Sequence, residues 1–128
     1  MYVLLDTQAF IYAVDENQHH KLPARARRAL LDPENTRELS AASVAEIALK
    51  AARGRLGITE NQLRQGLRLL NADILPVKPE HVLRLFQLPL HHSDPMDRIL
   101  IATALVEDIP IIGGDRLFRR YSGLKIIW

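Results

Sequence analysis

Short apolar, β-prone runs alternate with helical patterns from one end of this chain to the other, and that alternation leaves few architectures open. Residues 2–5 read as a strand and residues 7–14 as a helix with Ala9, Phe10 and Ala13 on one side. Asp15 to Lys21 is polar and loop-like, after which Pro23 suits the first turn of a helix over 24–31 that stops near Asp32-Pro33. Residues 37–40 are a candidate strand. Ser43 is placed to cap a helix over 44–53, with Glu46 completing a capping-box pattern and Gly54 and Gly57 ending it. Leu63, Leu67 and Leu70 recur at helical spacing within 59–71, followed by a candidate strand at 74–77 and a short helix over 79–88; this stretch reads as scaffold. Ser93-Asp94-Pro95 opens a helix that runs to about Asp108, and a strand at 110–112 is broken by Gly113-Gly114-Asp115. One helical turn over 117–121 and a terminal strand at 125–128 complete the pattern, which predicts an α/β fold with a mainly parallel central sheet.

At 128 residues, 48% of them hydrophobic, the chain suits one domain, residues 1–128, around a single core. Seventeen basic against 15 acidic side chains exclude a polycationic coat, so any basic surface is local. The absence of cysteine excludes disulfide scaffolds, thiolate zinc sites and cysteine nucleophiles. The first residues carry no basic leader, and the longest apolar run, 99–106, is far short of the ~20 residues a membrane span needs. A soluble, cytoplasmic protein is expected.

In open α/β sheets the ligand site lies beyond the carboxyl ends of the strands, so an acid closing an apolar strand is a candidate site residue. Asp6 and Asp115 both stand there, while Asp97 and Glu46 are expected in the first turns of two helices whose starts face the same end. Each also has a plain structural reading. Asp97 suits the helix dipole at N3, with Asp94 as N-cap and Pro95 at N1. Glu46 suits a capping box and pairing with Lys50, and Asp115 suits a turn. Asp6 has the weakest such alternative, because a carboxylate at the end of a buried strand is costly unless something binds it. If the four converge, repulsion calls for protons or a cation, and hard oxygen donors without thiolates favour Mg²⁺ or Mn²⁺. Such an ion suits phosphodiester hydrolysis, which makes a metal-dependent nuclease the leading expectation.

The motifs Leu4-Leu5-Asp6-Thr7, Ser43-Val44-Ala45-Glu46-Ile47-Ala48-Leu49-Lys50, His91-His92-Ser93-Asp94-Pro95-Met96-Asp97-Arg98 and Ile111-Ile112-Gly113-Gly114-Asp115 resemble those of PIN-domain proteins, and more narrowly of VapC-type toxins of type II toxin–antitoxin systems. That resemblance spans essentially the whole chain. It implies a three-layer α/β/α fold, and Asp6, Glu46, Asp97 and Asp115 as both the catalytic and the Mg²⁺- or Mn²⁺-binding residues of a ribonuclease. It further implies an RNA substrate, a cognate antitoxin that inserts a segment into the groove near the acids, and a homodimer. Gly113 departs from the pattern, since many relatives carry Ser or Thr there, which removes a hydroxyl from beside the metal and weakens the case for Asp115.

Secondary candidates surround the four acids. Thr7 could lend a hydroxyl to the site or cap a helix. Asp94 reads as a cap before a ligand. His92 could donate a proton or hold substrate, although a satisfied structural histidine explains it as well. Arg98 could orient Asp97, meet substrate phosphate or form an ion pair behind the site, and Arg116, Arg119 and Arg120 could flank an RNA path. Zinc at the pairs His19-His20 and His91-His92 is disfavoured, because adjacent side chains point apart. A receiver domain and a haloacid-dehalogenase-like phosphatase fail on their required residues: Asp6 is single, and Gln8 replaces a second Asp. The alternative that stands is a PIN-like protein- or RNA-binding module with weak or lost nuclease activity.

Overall fold

Consecutive apolar residues are all buried only where a sheet is covered on both faces. The computed structural model, which describes residues 1–128, puts β1 (Tyr2–Leu5) at the centre of such a sheet. The remaining strands are β2 (Thr36–Ser40), β3 (Ala72–Leu75), β4 (Ile111–Ile112) and β5 (Ile126–Ile127), in the order β3-β2-β1-β4-β5, and every pairing is parallel. The α/β expectation holds. Strand order reverses direction between β1 and β4, so a crevice opens there at the carboxyl end of the sheet.

Alternation along β1 divides the core. Val3 and Leu5 join Phe10, Ile11, Leu22, Leu30, Leu39, Ile47, Leu63 and Leu67 on one face, under α1 (Thr7–Val14), α2 (Ala24–Leu31), α3 (Ala41–Ala52) and α4 (Glu60–Leu70). Leu4 turns to the other face, with Leu75, Leu88, Leu100, Ile101, Ile111 and Phe118, under α5 (Pro79–Leu83) and α6 (Pro95–Glu107). This is the expected three-layer arrangement. Each buried Leu or Ile contributes about 1.5 to 3 kcal/mol. No helix is long and apolar enough to cross a membrane.

Glu16–Lys21, read as loop, is a 3₁₀ helix capped by Asp15, and the helix expected over 79–88 ends at Leu83 and continues as a 3₁₀ turn, Arg84–Gln87. Two further boundaries bear on the site and its sheet. Ser40, not Ser43, caps α3 by accepting the Ala42 N–H, so the helix starts at Ala41 and Glu46 lies beyond the first turn, outside any capping box. Ser43 is fully buried instead. β3 begins at Ala72, two residues before the expected start, because Asn71 takes the left-handed conformation (φ 49°) and turns the chain straight out of α4, while Pro76 has no N–H to extend the ladder. Thr59 and Gln62 form a reciprocal capping box at the start of α4.

Candidate active site

Asp6 leaves β1 and caps α1, with Oδ1 accepting the Ala9 N–H at 2.6 Å; it is only 6% exposed. Gly113 passes so close that a Cβ there would lie 2.5 Å from Asp6 Oδ2, so the missing hydroxyl at this position has a steric reason in this chain. Thr7, the first residue of α1, brings Oγ1 2.9 Å from Glu46 Oε1 and 2.9 Å from Ser43 Oγ. A carboxylate can only accept, so the single Thr7 proton goes to Glu46, which fixes a side chain from another helix. The other Glu46 oxygen accepts from Lys50 Nζ at 2.8 Å.

Asp97 stands at N3 of α6 behind Asp94, whose Oδ1 accepts from the backbone N–H groups of Met96 and Asp97. Asp115 caps the 3₁₀ turn Arg116–Arg120 through Oδ1, leaving Oδ2 turned inward. There it meets His92 Nε2 at 2.7 Å, and the same nitrogen lies 3.1 Å from Asp97 Oδ2. The ligand atoms of His92, Asp97 and Asp115 all fall within 4.8 Å of one another.

All four predicted acids therefore line one cleft of about 420 Å³, which Thr7, Gln8, Tyr12, Lys50, Asp94, Gly114 and Trp128 complete. A larger concavity of about 690 Å³ between α3 and α4 is apolar, and its charged residues Glu60 and Arg64 pair with each other at 2.7 Å. It offers no group for chemistry. Electrostatics distinguish the polar cleft. Burial pushes Asp6 up to about 7 against the pull of the Ala9 N–H, and Asp97, Asp115 and Glu46 reinforce the rise. Burial also pushes Asp97 up to about 6, with Asp94, Glu46 and Asp115 adding to it and His92 opposing. Carboxylates held above their ordinary range in one cleft demand a proton or a cation. The four carboxylates offer hard oxygen donors, which fit a hard divalent cation.

The remaining candidates lie outside the lining of the cleft. Arg98 forms no ion pair with Asp97; its guanidinium donates to the carbonyls of Leu88, Pro89 and His92. Arg116, Arg119 and Arg120 are exposed and unpaired on the turn after Asp115. His19 binds the Ala13 carbonyl and takes no part in a metal cluster. Sequence reasoning missed Trp128, whose indole packs where a Gly114 Cβ would stand, and Tyr121, whose hydroxyl donates to the Pro89 carbonyl and accepts the His92 N–H. No local signal marks either residue.

A family model described as PIN domain matches residues 3–124. No curated protein matches the sequence. Among solved structures, VapBC2 from Rickettsia felis, bound to a DNA fragment from their promoter, contains a chain similar in fold at TM-score 0.73 and 17% identity, over 98% of this chain and 97% of that one. VapBC-1 from nontypeable Haemophilus influenzae aligns at TM-score 0.68 and 21% identity over 98% and 96%. FitAcB from Neisseria gonorrhoeae aligns at TM-score 0.63 and 20% identity over 97% and 95%.

Proposed function

The chain belongs to the PIN domain family, whose model spans residues 3–124, and from that premise we propose that it is a divalent-metal-dependent endoribonuclease of VapC type, the toxin of a toxin–antitoxin pair. One observation carries the reading: Asp6, Glu46, Asp97 and Asp115, from four separate stretches of the chain, line a single cleft in which Asp6 and Asp97 are both held above their ordinary pKa. Mg²⁺ or Mn²⁺ held by these four would offset their charge, activate a water and polarise a phosphoryl oxygen.

The chain's own residues supply the preorganisation. The Ala9 N–H fixes Asp6, the Thr7 hydroxyl and Lys50 fix Glu46, and the backbone N–H groups of α6 orient Asp94 beside Asp97. Gly113 and Gly114 let β4 approach Asp6 and Trp128 without a side chain between them. Arg116, Arg119 and Arg120 are free to meet substrate phosphates, and the Tyr12 and Trp128 rings at the cleft wall suit stacking by unpaired bases. An antitoxin segment entering the cleft would inhibit by occlusion, and a homodimer in the cytoplasm belongs to the same reading. Purified protein should cleave single-stranded or structured RNA with Mn²⁺, and Asp6→Asn and Asp97→Asn should abolish cleavage while remaining folded. Equal cleavage by wild type and both variants would assign the activity to a contaminant.

A further inference from the structure

The loop 88–94 delivers His92 against Asp97 and Asp115, two of the cleft's four acids, and more hydrogen bonds than a chain turn requires hold it there. Arg98 Nη1 donates to the carbonyls of Pro89 at 3.0 Å and His92 at 3.2 Å, and Nη2 to that of Leu88 at 3.1 Å. Tyr121 Oη donates to the Pro89 carbonyl at 2.9 Å and accepts the His92 N–H at 2.8 Å. The ring, on a side chain 9% exposed, lies against Phe118.

The tautomer follows from the backbone. Asp94 N–H donates to His92 Nδ1 at 3.1 Å, so Nδ1 must offer its lone pair and the proton of the neutral ring sits on Nε2. Nε2 is then a donor with two carboxylates in reach, Asp115 Oδ2 at 2.7 Å and Asp97 Oδ2 at 3.1 Å. A nitrogen that carries a proton is no metal ligand, which separates His92 from the acids it touches.

We infer that His92 is a positioning residue: its Nε2–H holds Asp115 by a hydrogen bond, with Asp97 Oδ2 3.1 Å from the same nitrogen, and the Arg98–Tyr121 clamp on its loop sets the spacing at which those two carboxylates face the divalent ion. The inference rests on the metal-nuclease reading and deepens it. It also gives the octapeptide His91 to Arg98 a common purpose: His92 holds Asp115 and faces Asp97, Asp94 sets its tautomer and caps α6, and Arg98 holds the loop.

Mn²⁺ binding to the full chain, measured by calorimetry without RNA, tests it together with ¹⁵N spectra of the imidazoles at pH 8. His92→Ala should weaken Mn²⁺ binding by about tenfold or more, and His92→Gln, whose amide N–H reaches the position of Nε2, should restore most of the loss. The wild-type spectrum should show His92 protonated at Nε2 alone. Unchanged Mn²⁺ affinity in His92→Ala, a Gln variant as weak as the Ala variant, or an Nδ1–H tautomer overturns the inference. A wild type that takes up no Mn²⁺ removes the nuclease reading and the inference with it, whereas equal uptake by wild type and His92→Ala removes the inference alone.

Discussion

Two histidines in this chain are wired alike and stand in opposite electrostatic surroundings. His81, fully buried, accepts the Lys78 N–H on Nδ1 at 3.0 Å and meets Glu107 through Nε2 at 2.7 Å. His92 accepts the Asp94 N–H on Nδ1 at 3.1 Å and meets Asp115 through Nε2 at 2.7 Å. Around His81 the charges close: Lys78 Nζ lies 3.5 Å from the same Glu107 oxygen, and the His81 hydrogen bond holds Glu107 below the ordinary carboxylate range. Around His92 one N–H faces two carboxylates, Asp6 and Glu46 share the cleft, and Lys50 is already engaged by Glu46. A local hydrogen-bond device thus becomes a staple or part of the proposed ion site according to how many carboxylates lie beyond it.

The contrast predicts separable effects, the largest at the acids themselves. On the proposed metal-nuclease reading, Asp97→Asn removes several kcal/mol of charge complementarity to the ion and should lower Mn²⁺-dependent RNA cleavage roughly a thousandfold, while Glu107→Gln leaves it unchanged. A comparable fall in both would dissolve the distinction between the two histidine environments.

The next effect is on stability. Asp6 is raised from 3.8 to about 7, so the folded, metal-free protein binds that proton more tightly than the unfolded chain, by on the order of 4 kcal/mol. This contribution is complete below pH 3.8 and is lost as pH rises through about 7, and Asp97, raised from 3.8 to about 6, adds to the same trend. Thermal melts in chelator should therefore show the protein weakening from pH 5 to pH 8, with Mg²⁺ reversing the loss. Asp6→Asn keeps an N-cap side chain and removes the charge, so it should flatten that pH dependence. A metal-free melting temperature that climbs between pH 5 and pH 8 would contradict the assignment.

His81→Ala leaves Glu107 without its donor and opens a cavity, and should cost about 2 to 4 kcal/mol in denaturant unfolding with Mn²⁺ affinity preserved. Loss of Mn²⁺ binding in that variant would show that the two sites communicate. Smallest, Thr7→Val deletes the hydrogen bond that aims Glu46 and should cost about 1 kcal/mol, read as a several-fold lower cleavage rate. An unchanged rate would mean that Lys50 suffices to place Glu46.

Much of this was legible in the residues because the signals are local. The apolar run of β1 closed by Asp6, the Asp94-Pro95 start of α6 and the break at Gly113-Gly114 each lie within a few neighbours, and each stands where the pattern puts it. Glu46 reaches the cleft for a different reason from the one its spacing offered. Ser40 and Ser43 are both competent caps, and the choice between them is made by Thr7, 36 residues from Ser43, whose hydroxyl occupies the Ser43 side chain. Arg98 beside an acid reads as an ion pair, yet its partners are carbonyls that converge only once the loop 88–92 has closed. Lys50 was recognisable as a partner of Glu46, but Tyr121 and Trp128 carry no pattern at all, since their roles depend on strands and turns far along the chain.

Hydrophobic period and turn chemistry determine the strands, the helices and the parallel α/β architecture from the amino acids alone, because each is settled over one or two turns of chain. Charge and protonation follow another rule. The elevated pKa of Asp6, the proton on His92 Nε2 and the shared space of four carboxylates depend on proximity within one cleft between residues as much as 109 positions apart in sequence, Asp6 and Asp115. Electrostatic energy falls with distance through space and is blind to distance along the chain, so only the folded arrangement decides it.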